Sequence, residues 1–187
     1  MKAIQDFIRT SGLSLSSEAY AQAVAAFCEE MEHGLKGEGS SMKMLRAYLG
    51  VRQRPYDEQP LIVMDAGGTN LRVALVKLAA GKQTEILYQR VEPLPGRRGT
   101  ISREAFFDAF ANALAPVAAK SDRIGLCFSF PCKIRPYFDG EVIKLAKEVS
   151  VEGIEGARLS RCILDALKAR GLPCNHRIVV LNDTTAT

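Results

Sequence analysis

The sequence predicts an α/β protein, a mixed sheet covered by helices, and three observations predict it. Apolar runs of strand length fall at 61–66, 71–78 and 85–91, with only Gly67-Gly68-Thr69-Asn70 between the first two. Helical periodicity then alternates with two further apolar runs, giving helix, strand, helix, strand, the pattern of strands joined by crossovers. Polar residues capable of chemistry stand where strands stop, which is where sheets of this kind bind ligands.

Residues 1–60 read as a helical lead-in and 61–187 as the lobe that carries the sheet. Tyr20, Val24, Phe27, Met31 and Leu35 recur at spacings of three and four, one stripe of a helix opened by Ser16 or Ser17 and stopped at Gly34 and Gly37. Such a stripe calls for a covering surface. Residues 41–48 read as another helical turn or two, and 54–60 as a polar connection bounded by prolines. The glycine-rich turn makes the first two strands a hairpin, so the sheet starts antiparallel. A helix is expected at 103–119, with Phe106, Phe107, Phe110 and Leu114 apolar and Pro116 kinking or shortening it. The run at 123–130 reads as a strand buried on both faces, 141–147 is ambiguous, 157–169 is an amphipathic helix stopped by Gly171 and Pro173, and 177–182 is a last buried strand.

Composition narrows the class. With 47% hydrophobic and 25% charged residues the chain is an ordinary globular one, neither disordered nor fibrous. Its formal charge of +4 is mild, and Lys and Arg are spread rather than interleaved with aromatics. Nucleic acid is therefore not the expected partner, whereas a small anion such as a nucleotide suits the balance. The five cysteines form no C-x-x-C pair and no even framework, so neither zinc nor disulfides are signalled, and a reducing, cytoplasmic location is expected. No stretch reaches the roughly 18 apolar residues of a membrane span, so no membrane partner is expected.

Three strings carry candidate chemistry. Asp65-Ala-Gly-Gly-Thr-Asn-Leu-Arg72 is neither a P-loop nor a dinucleotide fingerprint. Gly67 and Gly68 let main-chain N–H groups face an anion, Thr69 adds a hydroxyl, and Asp65 at the strand end can hold Mg²⁺ through water. A plain hairpin, with glycines chosen for positive φ, explains the same residues. Ser129 stands in an apolar run as a polar group, either a locally bonded core hydroxyl or a ligand contact; no G-x-S-x-G surrounds it, so it is not read as a nucleophile. Asp183 follows the last strand, as a turn-forming residue or as a general base that takes the proton of an attacking hydroxyl. Lys147 on its own reads as a solvated surface group.

Taken together the residues resemble the hexokinase family. Asp65-Ala-Gly-Gly-Thr-Asn-Leu-Arg-Val73 is similar to its first phosphate motif, Phe128-Ser-Phe-Pro-Cys132 to its sugar-contacting signature, Val180-Leu-Asn-Asp-Thr184 to the segment with its catalytic aspartate, and Ser40-Ser-Met-Lys-Met-Leu45 to the stretch before its first strand. The resemblance implies an actin-like ATPase fold of two lobes and transfer of the ATP γ-phosphoryl, with Mg²⁺, to the 6-hydroxyl of a hexose such as glucose, the first step of sugar metabolism. By position it implies Asp183 as general base, Asn182 and Ser129 as sugar contacts, and Lys147 as a contact to both the sugar and the migrating phosphoryl. Asp65, Gly67, Gly68, Thr69, Asn70 and Arg72 would form the phosphate and Mg²⁺ end.

Two departures from the family pattern stand out. Where the family reads Trp-Thr-Lys-Gly-Phe this chain has Leu145-Ala-Lys-Glu-Val149, so Ala146 replaces a sugar-contacting threonine. One lost hydroxyl contact costs about 1 kcal/mol. The family also continues beyond the position of Asp183 into a large lobe with two sugar-gripping glutamates, a second phosphate loop and an adenosine pocket. These would lie in a further lobe or partner chain, and the 187 residues by themselves are expected to turn over slowly or not at all. The alternatives are a non-catalytic sugar-binding or sensor module of the same ancestry, and an acetate-kinase-like or carbohydrate-kinase relative with another alcohol acceptor.

Overall fold

The computed structural model describes residues 2–42, 44, 47–48, 58–79, 83–145 and 148–186. The chain divides into two units, Met1–Leu45 and Arg46–Thr187.

In the first unit, α1 (Lys2–Thr10) precedes α2 (Ser17–Lys36). Ser16 caps α2 by accepting from Ala19 N–H at 3.1 Å, and the helix passes through Gly34 to stop at Gly37, whose φ of 77° is the left-handed cap glycine supplies cheaply. Of the stripe expected on α2, Tyr20, Val24, Phe27 and Leu35 are exposed and Met31 is half-buried. After the cap, Ser41 N–H and the hydroxyls of Ser40 and Ser41 all reach the Glu30 carboxylate, which holds its carboxyl below the usual range. The chain then passes so close to Gly34 that a Cβ there would collide with the Met42 carbonyl. The helical turn expected at 41–48 is not formed by its described residues: Ser41, Met42, Met44, Ala47 and Tyr48 are irregular, and Met44 and Tyr48 have positive φ. The Glu30 contacts take the amide and hydroxyls that would have opened a helix. Lys43, Leu45, Arg46 and 54–57 of the connection lie outside the described residues.

The second unit is built on a five-stranded sheet of order β3-β2-β1-β5-β9. β1 (Leu61–Ala66), β2 (Asn70–Lys77) and β3 (Glu85–Pro93) form the antiparallel start, with a bulge between Leu75 and Val76 where β2 meets β3. A two-residue β4 (Ile101–Ser102) leads into α3 (Arg103–Leu114), capped by the Ser102 hydroxyl on Ala105 N–H. Pro116 does shorten this helix, which gives way to a turn and a 3-10 segment at Ala118–Lys120. β5 (Arg123–Phe128) then runs parallel to β1. A small hairpin of β6 (Cys132–Ile134) and β7 (Gly140–Val142), then β8 (Val151–Glu152) paired to β4, precede α4 (Leu159–Ala169), stopped at Gly171 with φ 68°. β9 (Arg177–Leu181) pairs parallel to β5, and a four-residue turn of helix, α5 (Asp183–Ala186), follows it.

The topology sets which face is covered. β1, β5 and β9 lie side by side in chain order, so right-handed crossovers place α3 and α4 on the same face. Phe106, Phe110 and Leu114 of α3 and Leu159, Ile163 and Leu167 of α4 close a core against Ile62, Met64, Ala66, Leu71, Val73, Ile124, Leu126, Phe128 and Val180. The opposite face, with Val63, Asp65, Gly125, Cys127, Val179 and Leu181, is only half-buried. The reading of 123–130 as a strand buried on both faces is therefore corrected: residues of β5 alternate between buried and half-buried, because both crossover helices went to one side. No described helix is long and apolar enough to cross a membrane.

Phe110 is fully buried, with its ring 5.0 Å from that of Phe106. Phe110→Ala is expected to lower the unfolding free energy by about 3–5 kcal/mol, read from urea unfolding followed by circular dichroism. A loss under about 1 kcal/mol would contradict the packing of α3 on this sheet.

Candidate active site

Three strand ends meet at one edge of the sheet. β1 closes at Ala66, β5 at Phe128 and β9 at Leu181, and since the three are neighbours running the same way, the residues after each emerge on the same side. Two cross-links fasten them. Ser129 N–H donates to the Ala66 carbonyl at 3.1 Å, and Asn182 Nδ2 donates to the Phe128 carbonyl at 3.3 Å. Asp65, Ser129, Asn182 and Asp183 are thereby brought to one place, although they come from three separate stretches of chain.

The β1–β2 turn is shut by Gly67 N–H on the Asn70 carbonyl at 3.0 Å, while the Thr69 carbonyl accepts from Leu94 N–H at 2.9 Å. The N–H groups of Gly68 and Thr69 have no acceptor among the described residues, and Thr69 is exposed. An anion would find both amides open to it. The glycines are not there for positive φ, since neither Gly67 nor Gly68 is left-handed. What Gly67 gives is room: a Cβ there would stand 3.7 Å from the Asn70 carbonyl oxygen, 3.9 Å from Asp65 Oδ1 and 4.0 Å from Arg72 Nη1. A side chain would fill the space beside two charged groups.

Those two groups are paired. Asp65 and Arg72 oppose one another in the β1–β2 ladder, and Arg72 Nη1 donates to Asp65 Oδ2 at 2.6 Å. Half-exposed, the pair contributes little to stability but gives the carboxylate a direction.

On the other side of β1, Asp65 opposes Cys127, and Cys127 opposes Leu181. Residues opposed in a ladder point to the same face. The Cys127 thiol therefore stands on the half-buried face, on the strand between the two whose ends carry the acids. Burial first, then the nearby charges of Asp65 and Asp183, push it up to about 11. Both carboxylates thus lie within electrostatic reach of one thiol. Sequence reasoning missed Cys127 and the Arg72 partner alike, because strand register alone reveals either contact.

Asn182 is held at both ends of its amide. Besides the bond to Phe128, its Oδ1 accepts from Thr184 N–H at 3.2 Å and from Thr184 Oγ1 at 2.6 Å, and this opens α5. Asp183 is the first residue of that turn, half-buried, with Oδ1 2.9 Å from Thr184 N. Lys147 and Ala146 lie outside the described residues. Among the described residues no three His, Cys, Asp or Glu side chains gather as a metal-holding group. The oxygen donors at this edge, one carboxylate on each flanking strand end, suit a hard cation that takes most of its ligands from water and phosphate.

A parallel-edged mixed sheet with its functional groups past three strand ends is an α/β lobe of the actin-like ATPase class. A sequence model described as Hexokinase matches residues 4–187, and the chain belongs to the hexokinase family. It is 29% identical over 179 residues to Hexokinase-3 of Mus musculus, covering 92% of this chain and 19% of that protein. To Hexokinase-1 of Oryza sativa subsp. japonica it is 31% identical over 181 residues, covering 89% and 36%. Among solved structures, a hexokinase from Schistosoma mansoni complexed with glucose superposes with a TM-score of 0.71 at 28% identity, over 96% of this chain and 42% of that one. The chain thus spans between 19% and 38% of the length of such curated relatives.

The position of Cys127 makes its reactivity a readout of the site. Its folded-state value lies above the unfolded 9.0, so its contribution to stability is present below about pH 9 and is lost as pH rises toward about 11. At pH 8, alkylation followed by mass spectrometry is expected to label exposed Cys28 quickly and Cys127 slowly, with Cys127 accelerating up to about pH 11. Equal rates for the two at pH 8 would contradict the placement of Cys127 between Asp65 and Asp183.

Proposed function

We propose that the protein to which these residues belong is a hexokinase, transferring the γ-phosphoryl of ATP to the 6-hydroxyl of a hexose such as glucose, with residues 61–187 as its small lobe. The observation that supports this reading is the common end of the sheet to which β1, β5 and β9 bring Asp65, Ser129, Asn182 and Asp183. An acid that can take a proton and an acid beside a phosphate turn are what an alcohol and a terminal phosphate need in order to meet.

Bound ATP with Mg²⁺ would supply the phosphoryl group and the neutralisation of its charge. Asp183 accepts the proton of the attacking hydroxyl. Asn182, with its amide already tied to β5 and α5, and Ser129 orient the sugar. The open amides of Gly68 and Thr69 and the Thr69 hydroxyl would hold phosphate oxygens and Asp65 would hold the Mg²⁺, while Asn70 closes the turn through its carbonyl. Arg72 is shared between Asp65 and the phosphate chain, a role that suits a guanidinium with several donors. Lys147 adds positive charge to the migrating group. A second lobe excludes water and orients the nucleotide, and a cytoplasmic location agrees with free thiols.

In the intact protein, Asp183→Asn is expected to lower hexose phosphorylation by about 10²–10⁴-fold, measured in an ATP- and Mg²⁺-dependent assay coupled to hexose 6-phosphate. The 187 residues alone are expected to be slow or inactive in the same assay. Full activity of Asp183→Asn would end the general-base assignment.

A further inference from the structure

Asp139 is a buried carboxylate that the proposed chemistry does not use. It is 5% exposed at the end of the turn joining β6 to β7, and both of its carboxylate oxygens accept hydrogen bonds. Its Oδ1 accepts from Gly140 N–H and Ser160 N–H, both at 2.9 Å, and its Oδ2 from Arg158 Nε at 3.1 Å and Nη2 at 3.0 Å. Arg158 opens α4 without a capping side chain of its own, so a residue about twenty positions earlier in the chain does the capping. The Arg158 guanidinium also lies 5.4 Å from the centre of the Tyr137 ring, clasping the turn from outside.

The residue before Asp139 shows what the clamp holds. Phe138 has φ 64°, a left-handed backbone that a residue of this size adopts only when its surroundings impose it. Arg135 N–H on the Asp139 carbonyl at 2.9 Å and Phe138 N–H on the Arg135 carbonyl at 2.8 Å fold the turn that far. The Phe138 carbonyl then accepts from Val180 N–H at 2.8 Å. β9 is an edge strand, and Val180 precedes Asn182 by two residues and Asp183 by three. Gly140 presses on the same spot, since a Cβ there would stand 2.9 Å from Leu159 Cδ1 and 3.0 Å from Val180 Cγ1. With the Arg158 side chain half-exposed the ion pair is poor evidence of stabilisation, so its use here lies in the geometry it imposes.

We propose that Asp139 is a positioning residue for the candidate active site: it locks the β6–β7 turn to the first turn of α4, seats the Phe138 carbonyl on the outer edge of β9, and so sets where Asn182 and Asp183 stand. The catalytic half of this inference rests on the function proposed above, and the structural half does not.

The test joins hydrogen exchange with steady-state kinetics on the intact protein. In Asp139→Ala, exchange at Val180 N–H is expected to quicken at least tenfold, and kcat with glucose and ATP to fall at least tenfold while KM for ATP changes less than threefold. Asp139→Asn, which keeps an oxygen for Gly140 and Ser160, recovers most of both. Arg158→Gln removes only the Oδ2 donors and is the variant to use if Asp139→Ala does not fold; it loosens Val180 by a smaller factor in the same direction. Unchanged Val180 exchange in the variants, or quickened exchange with kcat within twofold of the parent, overturns the proposal. A parent protein that phosphorylates no hexose would sink the proposed function and the catalytic half with it, while Val180 exchange still decides the clamp.

Discussion

The pairing register of β1, β5 and β9 is the constraint on which everything else in this lobe rests. With Asp65 opposite Cys127 and Cys127 opposite Leu181, one acid reaches the half-buried face directly and the other follows one strand end later. A slip of one residue would turn Asp65 toward the core formed with α3 and α4. Burying an unpaired carboxylate there costs several kcal/mol, so the hydrophobic pattern and the charge pattern select the same register.

Gathering two carboxylates on one side has a cost of its own, and the surroundings show how it is managed. Arg72 offsets Asp65 from one flank, and Cys127 separates Asp65 from Asp183 with a group that burial and both charges keep protonated. The Asn182 amide spans from β5 to α5 and holds the strand end without adding charge. On the outer edge of β9 the Val180 N–H is taken by the carbonyl of the strained turn at Phe138, fastened by Asp139. Acids, spacer and clamp form one supported edge.

Much of this was legible in the sequence for reasons that are local. The run at 61–66 is bounded by a polar connection and a diglycine turn, and β1 has those limits. Pro116 shortens α3 because it lacks the N–H a further turn would need. Asp65, Ser129 and Asp183 stood out because they are polar at the ends of apolar runs. Features that depend on distant partners were not legible. The half-open face of β5 follows from both crossovers going one way, Cys127 gained its meaning from register, and residues 41–48 lost their helical character to Glu30, eleven positions back from Ser41. Nothing in the sequence marks Asp139, since its donors at 158 and 160 are brought to it only by folding.

The most direct test of the account is the register itself, observed by nuclear Overhauser effects between backbone protons of an isotope-labelled chain. Cross-strand contacts linking Asp65 with Cys127, and Cys127 with Leu181, are the predicted result. Contacts that instead place Asp65 beside Leu126 or Phe128 would put its carboxylate on the opposite face from Asp183, and the shared site would not exist.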